Sequence, residues 1–246
     1  MKRLSWQIRL GLLLLALSAI VYLIHYAIFR DPHHIFLWSV TSFAFLPISV
    51  LFVTLIINQL LGRREKRARL EKVEMVIGTF FSEVGTRLLA FLSDFDPNLD
   101  EIRKELIVTS DWSEQEFSGV SNRLKNYDYG IEMEKIDLED LRSFLGEKSN
   151  FLLRLLENPT LLEHEAFTEL LRAVFHLTEE LSARKDTRQL PTSDRKHLAG
   201  DIKRVYVLLV RQWLDYMRYL KYNYPYLFSL AMRINPFDQE ASPIVK

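Results

Sequence analysis

Two apolar runs near the N-terminus, residues 10–29 and 35–61, constrain this chain more than any other feature. A helix needs about 20 mainly apolar residues to cross the ~30 Å hydrocarbon core of a membrane. The first run contains no charged residue, and the second is long enough to cross with a tilt. The five residues between the runs leave no room for a domain. The pattern therefore predicts a transmembrane hairpin with a tight turn at Pro32.

The basic residues near the ends of the runs predict the orientation of the hairpin, because cytoplasmic flanks are rich in Lys and Arg. Lys2, Arg3 and Arg9 flank the first run, and the connecting turn carries only Arg30. Six basic residues, named here the basic collar, follow the second run: Arg63, Arg64, Lys66, Arg67, Arg69 and Lys72. We therefore expect a two-span protein of the cell (plasma) membrane with both termini in the cytoplasm.

The basic collar also predicts the first partner of the chain, which is a lipid bilayer with an anionic inner leaflet. Clusters of four to eight Lys or Arg beside a span attract anionic lipid, and each basic residue near the surface contributes ~1 kcal/mol. The alternative is that the collar only sets the topology. For the first run, a cleaved signal peptide ending near Ser18 is the alternative, but the apolar run continues to Phe29 and favours a span.

The charge of the chain is divided between its two parts. The net charge is zero, but residues 1–72 carry +7 and residues 73–246 carry −7. An acidic domain argues against nucleic acid as a partner, since nucleic-acid-binding domains are electropositive. The sequence contains no cysteine, which excludes disulfides and thiolate metal sites. No glycine-rich phosphate loop or catalytic motif is present, so the sequence predicts no cofactor.

Helical periodicity continues through the rest of the chain, and no segment alternates with the period of a strand. The fold class is therefore all-α, with the hairpin at 1–62, a cytoplasmic helical bundle of about six helices at 63–234 and an extended tail at 235–246. Capping boxes are predicted at Ser113/Glu116 and Thr160/Glu163. The predicted helices cover 63–94, 99–107, 113–126, 137–157, 160–184 and 192–223, with a last turn after Pro225.

The helix predicted at 63–94 has an apolar stripe and a flank of small residues. The stripe favours a core-facing helix over a coiled coil, because Arg87 interrupts the seam. Gly78, Ser82 and Gly85 lie together beside the stripe. Small residues let two backbones approach closely. The flank therefore predicts either an intradomain helix crossing, which is favoured, or self-association of a homo-oligomer.

Histidines and carboxylates of the last two long helices suggest a metal site. Histidine–carboxylate sets on facing helices bind metals in bundles. The four candidates are His176, Glu180, His197 and Asp201. At 100° per residue, Glu165, Glu169, His176 and Glu180 project away from the core stripe of their helix, whereas bundle ligands project inward. His197 and Asp201 share a face of the next helix. A solvated face is therefore favoured, and no metal site is predicted.

An aromatic run in the C-terminal region is the most unusual composition of the domain. It interleaves Arg and Lys with Trp213, Tyr216, Tyr219, Tyr222, Tyr224, Tyr226 and Phe228. Part of the run continues the inward stripe of the preceding helix. Tyr219 and Tyr222 rotate off the stripe and are predicted as interface aromatics at the surface, since Tyr has an apolar ring and a polar tip.

Taken together, these patterns favour a non-enzymatic interaction or regulatory module at the inner face of the membrane, with a protein partner that the sequence does not identify. One alternative is a helical-bundle enzyme or a metal- or ligand-binding domain that uses the His/Glu face. The other is a small oligomeric channel or transporter accessory. An intramembrane charge would favour the channel, and neither apolar run contains one.

Overall fold

The structure, a computed structural model, describes residues 6–245 without the side chains of residues 7, 8, 63–65, 67–69, 162 and 163. Within this part of the chain every regular element is a helix, which confirms the predicted all-α fold class. The chain forms two units, Met1–Lys66 and Arg67–Lys246.

The first unit contains α1 (Trp6–Phe29) and the start of α2 (Pro32–Phe80). Only Arg30 and Asp31 separate these helices, so the turn is shorter than the predicted five residues. The reason is a helix cap: the Asp31 Oδ1 atom accepts the backbone N–H groups of His33 at 3.0 Å and His34 at 3.2 Å. Proline in the first turn of α2 has a φ that suits a helix start.

The first unit leaves its apolar side chains exposed. Its two apolar segments, Arg9–Phe29 and Pro32–Gly62, have mean hydropathies of 2.3 and 2.4. No residue of either segment is buried. Both segments are therefore long and apolar enough to cross a membrane. Inside α2, Pro47 does not end the helix. The Ser49 hydroxyl donates to the Phe45 carbonyl at 3.2 Å, close to the position where proline removes a backbone donor.

The second unit contains the remaining helices. After α2 the chain makes a π turn (Phe81–Gly85), and two 3-10 turns follow later, at Arg103–Leu106 and Pro159–Glu163. The α-helices of this part are α3 (Thr86–Ser93), α4 (Leu99–Ile102), α5 (Glu114–Asn126), α6 (Leu138–Leu156), α7 (Glu165–Ala183), α8 (Thr192–Asn223) and α9 (Pro225–Arg233).

The core of the second unit is built around α8, which packs against α3, α5, α7 and α9. α7 lies between α8 and α6. The segment Leu70–Ser93 is also long and apolar enough to cross a membrane, but 44% of its most apolar window is buried inside the domain. Its predicted core-facing stripe is confirmed by the burial of Val73, Ile77, Phe80, Val84, Leu88 and Leu92.

The π turn was not predicted, and it changes the role of the small residues. Phe80 and Phe81 are consecutive and both buried, which the wider π turn permits. A Cβ atom on Gly85 would lie 2.6 Å from the Phe81 Cδ1 atom. Gly85 is therefore buried inside the domain against Phe80 and Phe81, and self-association through the flank of small residues stays a prediction. Gly78 meets Tyr216 of α8, while Ser82 is exposed.

The helix ends show one confirmed cap and one that differs from the prediction. The Ser113/Glu116 capping box is present, with both reciprocal hydrogen bonds. The second predicted box has Thr160 as its N-cap, but Thr160 lies inside a 3-10 turn, and the Glu163 side chain is outside the described residues. Instead, the Asn158 Oδ1 atom accepts the Thr160 N–H at 3.0 Å and stabilises a 3-10 turn that begins at Pro159. α7 then starts at Glu165, where the His164 Nδ1 atom accepts the Phe167 N–H.

The segment predicted as an extended tail begins inside the domain. The Asn235 side chain donates to the Leu106 carbonyl at 2.9 Å, and both groups are buried. Phe237 is fully buried, with its ring centroid 5.0 Å from that of Trp213. The bulky apolar side chain of Phe237 anchors the segment, because burying a phenylalanine contributes ~1.5–3 kcal/mol.

Candidate functional site

A cavity of about 640 Å³ opens in the second unit between the end of α2, the π turn, α8 and α9. This volume lies in the range of small-molecule sites, ~300–1,000 Å³. We name it the aromatic groove. Its principal lining residues are Glu74, Gly78, Phe81, Tyr216, Tyr219, Tyr224 and Tyr226, and its aliphatic lining residues include Met75, Leu227, Leu230 and Ile234.

The local sequence explains how the groove forms. Pro225 cannot continue α8 and starts α9, so α9 returns against α8. On the opposite wall, a Cβ atom at position 78 would lie 3.1 Å from the Tyr216 hydroxyl oxygen. Glycine at this position therefore admits the tyrosine. The Tyr216 ring stacks on Phe81 with a centroid distance of 5.0 Å and an interplanar angle of 9°.

Aromatic rings continue along the groove. The Tyr219 and Tyr224 centroids are 5.8 Å apart, and those of Tyr224 and Tyr226 are 6.3 Å apart. The Tyr219 hydroxyl is buried without a hydrogen-bond partner in the described part of the chain. Burial raises the pKa of Tyr219 above its ordinary value, so this hydroxyl stays protonated and can donate.

Glu74 is the ionisable group of the groove. Burial and the nearby Asp215 carboxylate raise the pKa of Glu74 to about 7, while Arg218 acts in the opposite direction. No hydrogen bond or ion pair joins Glu74 to another described residue. Glu83 also lines the groove, but Lys148 neutralises it at 2.8 Å. Among the described lining residues none is basic.

The sequence identified only part of this site. Tyr219 lines the groove, while Tyr222 is 53% exposed and lies outside it. Trp213 and Leu220 are buried, as the inward stripe predicts. Glu74 was missed. The only signal in the sequence was one carboxylate beside the apolar stripe of a helix, which does not show that α9 lines the same cavity.

The predicted His/Glu face lies elsewhere, where α7 packs on α8. The His197 Nε2 atom is 3.3 Å from the Asp201 Oδ2 atom and 3.6 Å from the Glu180 Oε2 atom. The His176 Nε2 atom is 3.7 Å and 3.9 Å from oxygens of the same two carboxylates. The Asp201 side chain is only 5% exposed. The solvated face was predicted for His176 and Glu180, whose side chains are 46% and 27% exposed, whereas the packing of the two helices covers Asp201.

Arginines hold the carboxylates of this cluster. Arg184 bonds to Glu180 at 2.7 Å and to both oxygens of Asp194 at 2.6 and 2.8 Å, which lowers the pKa of each carboxyl. Arg204 bonds to the other oxygen of Asp201 at 3.0 Å. Within the described residues, no group of three or more His, Cys, Asp or Glu is placed to hold a metal ion. The cluster clamps α7 to α8.

The basic collar is described only in part. Lys66 and Lys72 are exposed. The side chains of Arg63, Arg64, Arg67 and Arg69 lie outside the described residues.

Fold and groove together define an all-helical protein with two apolar N-terminal helices and a separate helical domain. Two family models match it, described as "MJ1433, N-terminal helical domain" over residues 2–61 and "Uncharacterized protein MJ1433, C-terminal helical domain" over residues 69–233. The chain belongs to this MJ1433 family. It is 47% identical over 236 residues to the uncharacterized protein MJ1433 of Methanocaldococcus jannaschii, covering 96% of this chain and 95% of the relative. No solved structure matches the chain.

Proposed function

We propose that the chain is a membrane-anchored, non-enzymatic binding module. The first unit anchors it in the plasma membrane, and the helical domain presents the aromatic groove to the cytoplasm. The observation that carries this proposal is the exposure of the first unit, where no residue of Arg9–Phe29 or Pro32–Gly62 is buried.

Exposing the apolar surface of the first unit to water would be unfavourable. Leaving one Leu, Ile or Phe side chain exposed rather than buried costs ~1.5–3 kcal/mol. Soluble monomers rarely expose contiguous apolar patches above a few hundred Å². α1 and the first part of α2 are apolar on all sides, which is typical of helices surrounded by lipid. A bilayer would remove this surface from water.

Charge supports the proposed orientation and the first partner. The basic collar follows the second apolar segment directly, and its described members Lys66 and Lys72 are exposed. Six cations at this place favour a cytoplasmic position and contact with an anionic inner leaflet. A protein, including a second copy of this chain, is the further partner that an interaction module would require.

We favour binding over catalysis because the His/carboxylate cluster lies between α7 and α8, outside the aromatic groove. The His/carboxylate cluster of α7 and α8 is held by Arg184 and Arg204. Pairing with Arg184 lowers the pKa of Glu180, which makes this carboxylate a poor proton acceptor. The aromatic groove instead combines one free carboxylate with apolar walls, which suits the recognition of a ligand.

The absence of cysteine from the sequence makes a topology test straightforward. Single cysteines at His33 and Ser242 are exposed to a membrane-impermeant maleimide in intact cells. We expect His33→Cys to react, and Ser242→Cys to react only after lysis. Reaction of Ser242→Cys in sealed cells would reverse the orientation. Release of the protein from membranes by alkaline carbonate would contradict the anchor.

A further inference from the structure

We propose that the aromatic groove binds an amphiphilic organic cation, with its ammonium group at Glu74 and its apolar tail along α9. This inference deepens the proposed function, because it rests on the aromatic groove being the ligand site of the module. The ligand is defined by its chemistry: a quaternary or protonated amine joined to a short hydrocarbon chain.

Charge is the first argument. Glu74 has no ion-pair partner among the described residues, while Glu83 is neutralised by Lys148. Asp215 on α8 adds negative charge near Glu74, and Arg218 is shared between Asp215 and Glu114 at 3.2 and 3.3 Å. An anionic ligand would meet this unbalanced carboxylate inside an apolar site, where charges are poorly screened. A cation would neutralise it.

The aromatic rings are the second argument. A cation binds to the face of a tyrosine or phenylalanine ring within ~6 Å of its centroid. Four tyrosines line the groove, with successive contacts from Tyr216 to Phe81 and from Tyr219 through Tyr224 to Tyr226. Aromatic rings that line a site together with a carboxylate suit the recognition of alkylated ammonium groups.

Exposed apolar lining residues explain why the cation should carry a tail. Leu227, Leu230 and Ile234 of the α9 region line the groove with exposed side chains, as does Met75 of α2. A hydrocarbon chain lying on these side chains would remove their surface from water. A small inorganic cation would leave this part of the groove uncovered.

The proposed site has a defined pH dependence. With a pKa of about 7, the Glu74 carboxyl is mostly protonated at pH 6 and mostly ionised at pH 8. A permanently charged ligand is attracted only by the ionised form. Its affinity should therefore rise about tenfold from pH 6 to pH 8, in proportion to the ionised fraction. Because the ligand binds to the ionised form of Glu74, binding near pH 6 releases a proton from this carboxyl.

The test uses the full chain in an uncharged maltoside detergent, with hexyltrimethylammonium as the probe and isothermal titration calorimetry as the measurement. Hexan-1-ol and hexyl sulfate provide neutral and anionic heads on the same chain. We expect the cation to bind at least tenfold more tightly than the alcohol at pH 8, and the sulfate not to bind. Equal binding of cation and alcohol, binding of the sulfate, or no binding of any probe would overturn the proposal.

Two pairs of variants locate the site. Glu74→Gln should weaken cation binding at least tenfold and abolish its pH dependence, whereas Glu179→Gln, on the exposed face of α7 and outside the groove, should bind normally. Tyr224→Leu should weaken binding severalfold, whereas Tyr222→Leu, outside the groove, should not. Unchanged circular dichroism would show that each variant is folded. Normal binding by Glu74→Gln would overturn the proposal.

A second copy of the chain is the competing occupant of the aromatic groove. Concentration-dependent dimerisation that Tyr224→Leu abolishes, without any binding of the cation, would assign the groove to that copy and overturn the proposal. The outcome is independent of the membrane test. A negative titration leaves the cysteine labelling pattern unchanged, and a failed anchor leaves the titration interpretable.

Discussion

Leu15 in α1 and Leu177 in α7 are the same residue in two different surroundings. The Leu15 side chain is 69% exposed, whereas Leu177 is 0% exposed in the core of the helical domain. α1 is apolar on all sides, while α7 has one apolar stripe and a polar face. Both helices need their leucines removed from water. In α7 the protein does this itself, and in α1 we propose that lipid does it.

The segment Leu70–Ser93 shows why hydropathy alone does not separate the two cases. By length and composition it also qualifies as a span, but 44% of its most apolar window is buried against the domain. The difference lies in charged residues such as Lys72 and Glu83, which fall on the face away from the core. The distribution of charge around a helix is therefore more informative than its mean hydropathy.

Removing residues 1–66 is expected to give the largest effect. The remaining domain has its own buried core, so it should become soluble, stay helical and unfold cooperatively. Ultracentrifugation of cell extracts and thermal circular dichroism provide the measurement. If the shortened chain aggregates or melts without a transition, the two units depend on each other and the comparison fails.

Truncating one leucine in each unit sharpens the comparison. Leu177→Ala should lower the free energy of unfolding by about 2–5 kcal/mol, because it leaves a cavity in a packed core. Leu15→Ala should lower it by less than about 0.5 kcal/mol, since an exposed side chain leaves no cavity. Chemical denaturation of the full chain in detergent measures both. Similar losses for the two variants would show that α1 is packed against protein.

Glycine substitutions test the small-residue face. The Cβ atom of Gly85→Ala would lie 2.6 Å from one phenylalanine ring and 2.8 Å from another, so we expect a loss of about 1–3 kcal/mol. The matched variant Gly200→Ala has no atom within 4 Å of its Cβ and should gain up to about 1 kcal/mol. Differential scanning fluorimetry gives both shifts. A stable Gly85→Ala protein that changes only its oligomeric state would instead place Gly85 in a contact between copies of the chain.

Arg184→Gln should produce a smaller, pH-dependent effect. Arg184 lowers the pKa values of Glu180 and Asp194 from their ordinary 4.5 and 3.8, so these carboxyls stabilise the fold when ionised. The stabilisation is complete above the ordinary pKa values and is lost as pH falls through the lowered ones. At pH 7 the variant should lose about 1–2 kcal/mol.

The control for Arg184→Gln is the same denaturation experiment in acid. The difference between the two proteins should shrink below about pH 4, where the carboxyls become protonated. A difference that stays constant down to pH 3 would mean that Arg184 acts through packing rather than charge.

The sequence predicted the features that depend on neighbouring residues. Helical periodicity and caps such as Ser113/Glu116 are local, so the all-α fold and most helix positions were predictable. The aromatic groove was not, because it requires α9 to fold back toward Glu74 across a long stretch of chain. The burial of Asp201 and of Phe237 depends in the same way on packing between distant elements.

The central claim is that lipid covers the first unit while protein covers the core of the second. Nitroxide labels at Leu15, Phe45 and Tyr222 in liposomes test it by relaxation with oxygen, which partitions into hydrocarbon, and with a water-soluble nickel complex. We predict that labels at Leu15 and Phe45 respond to oxygen and not to nickel, and that the Tyr222 label responds to nickel. A nickel response at Leu15 and Phe45 equal to that at Tyr222 would contradict it.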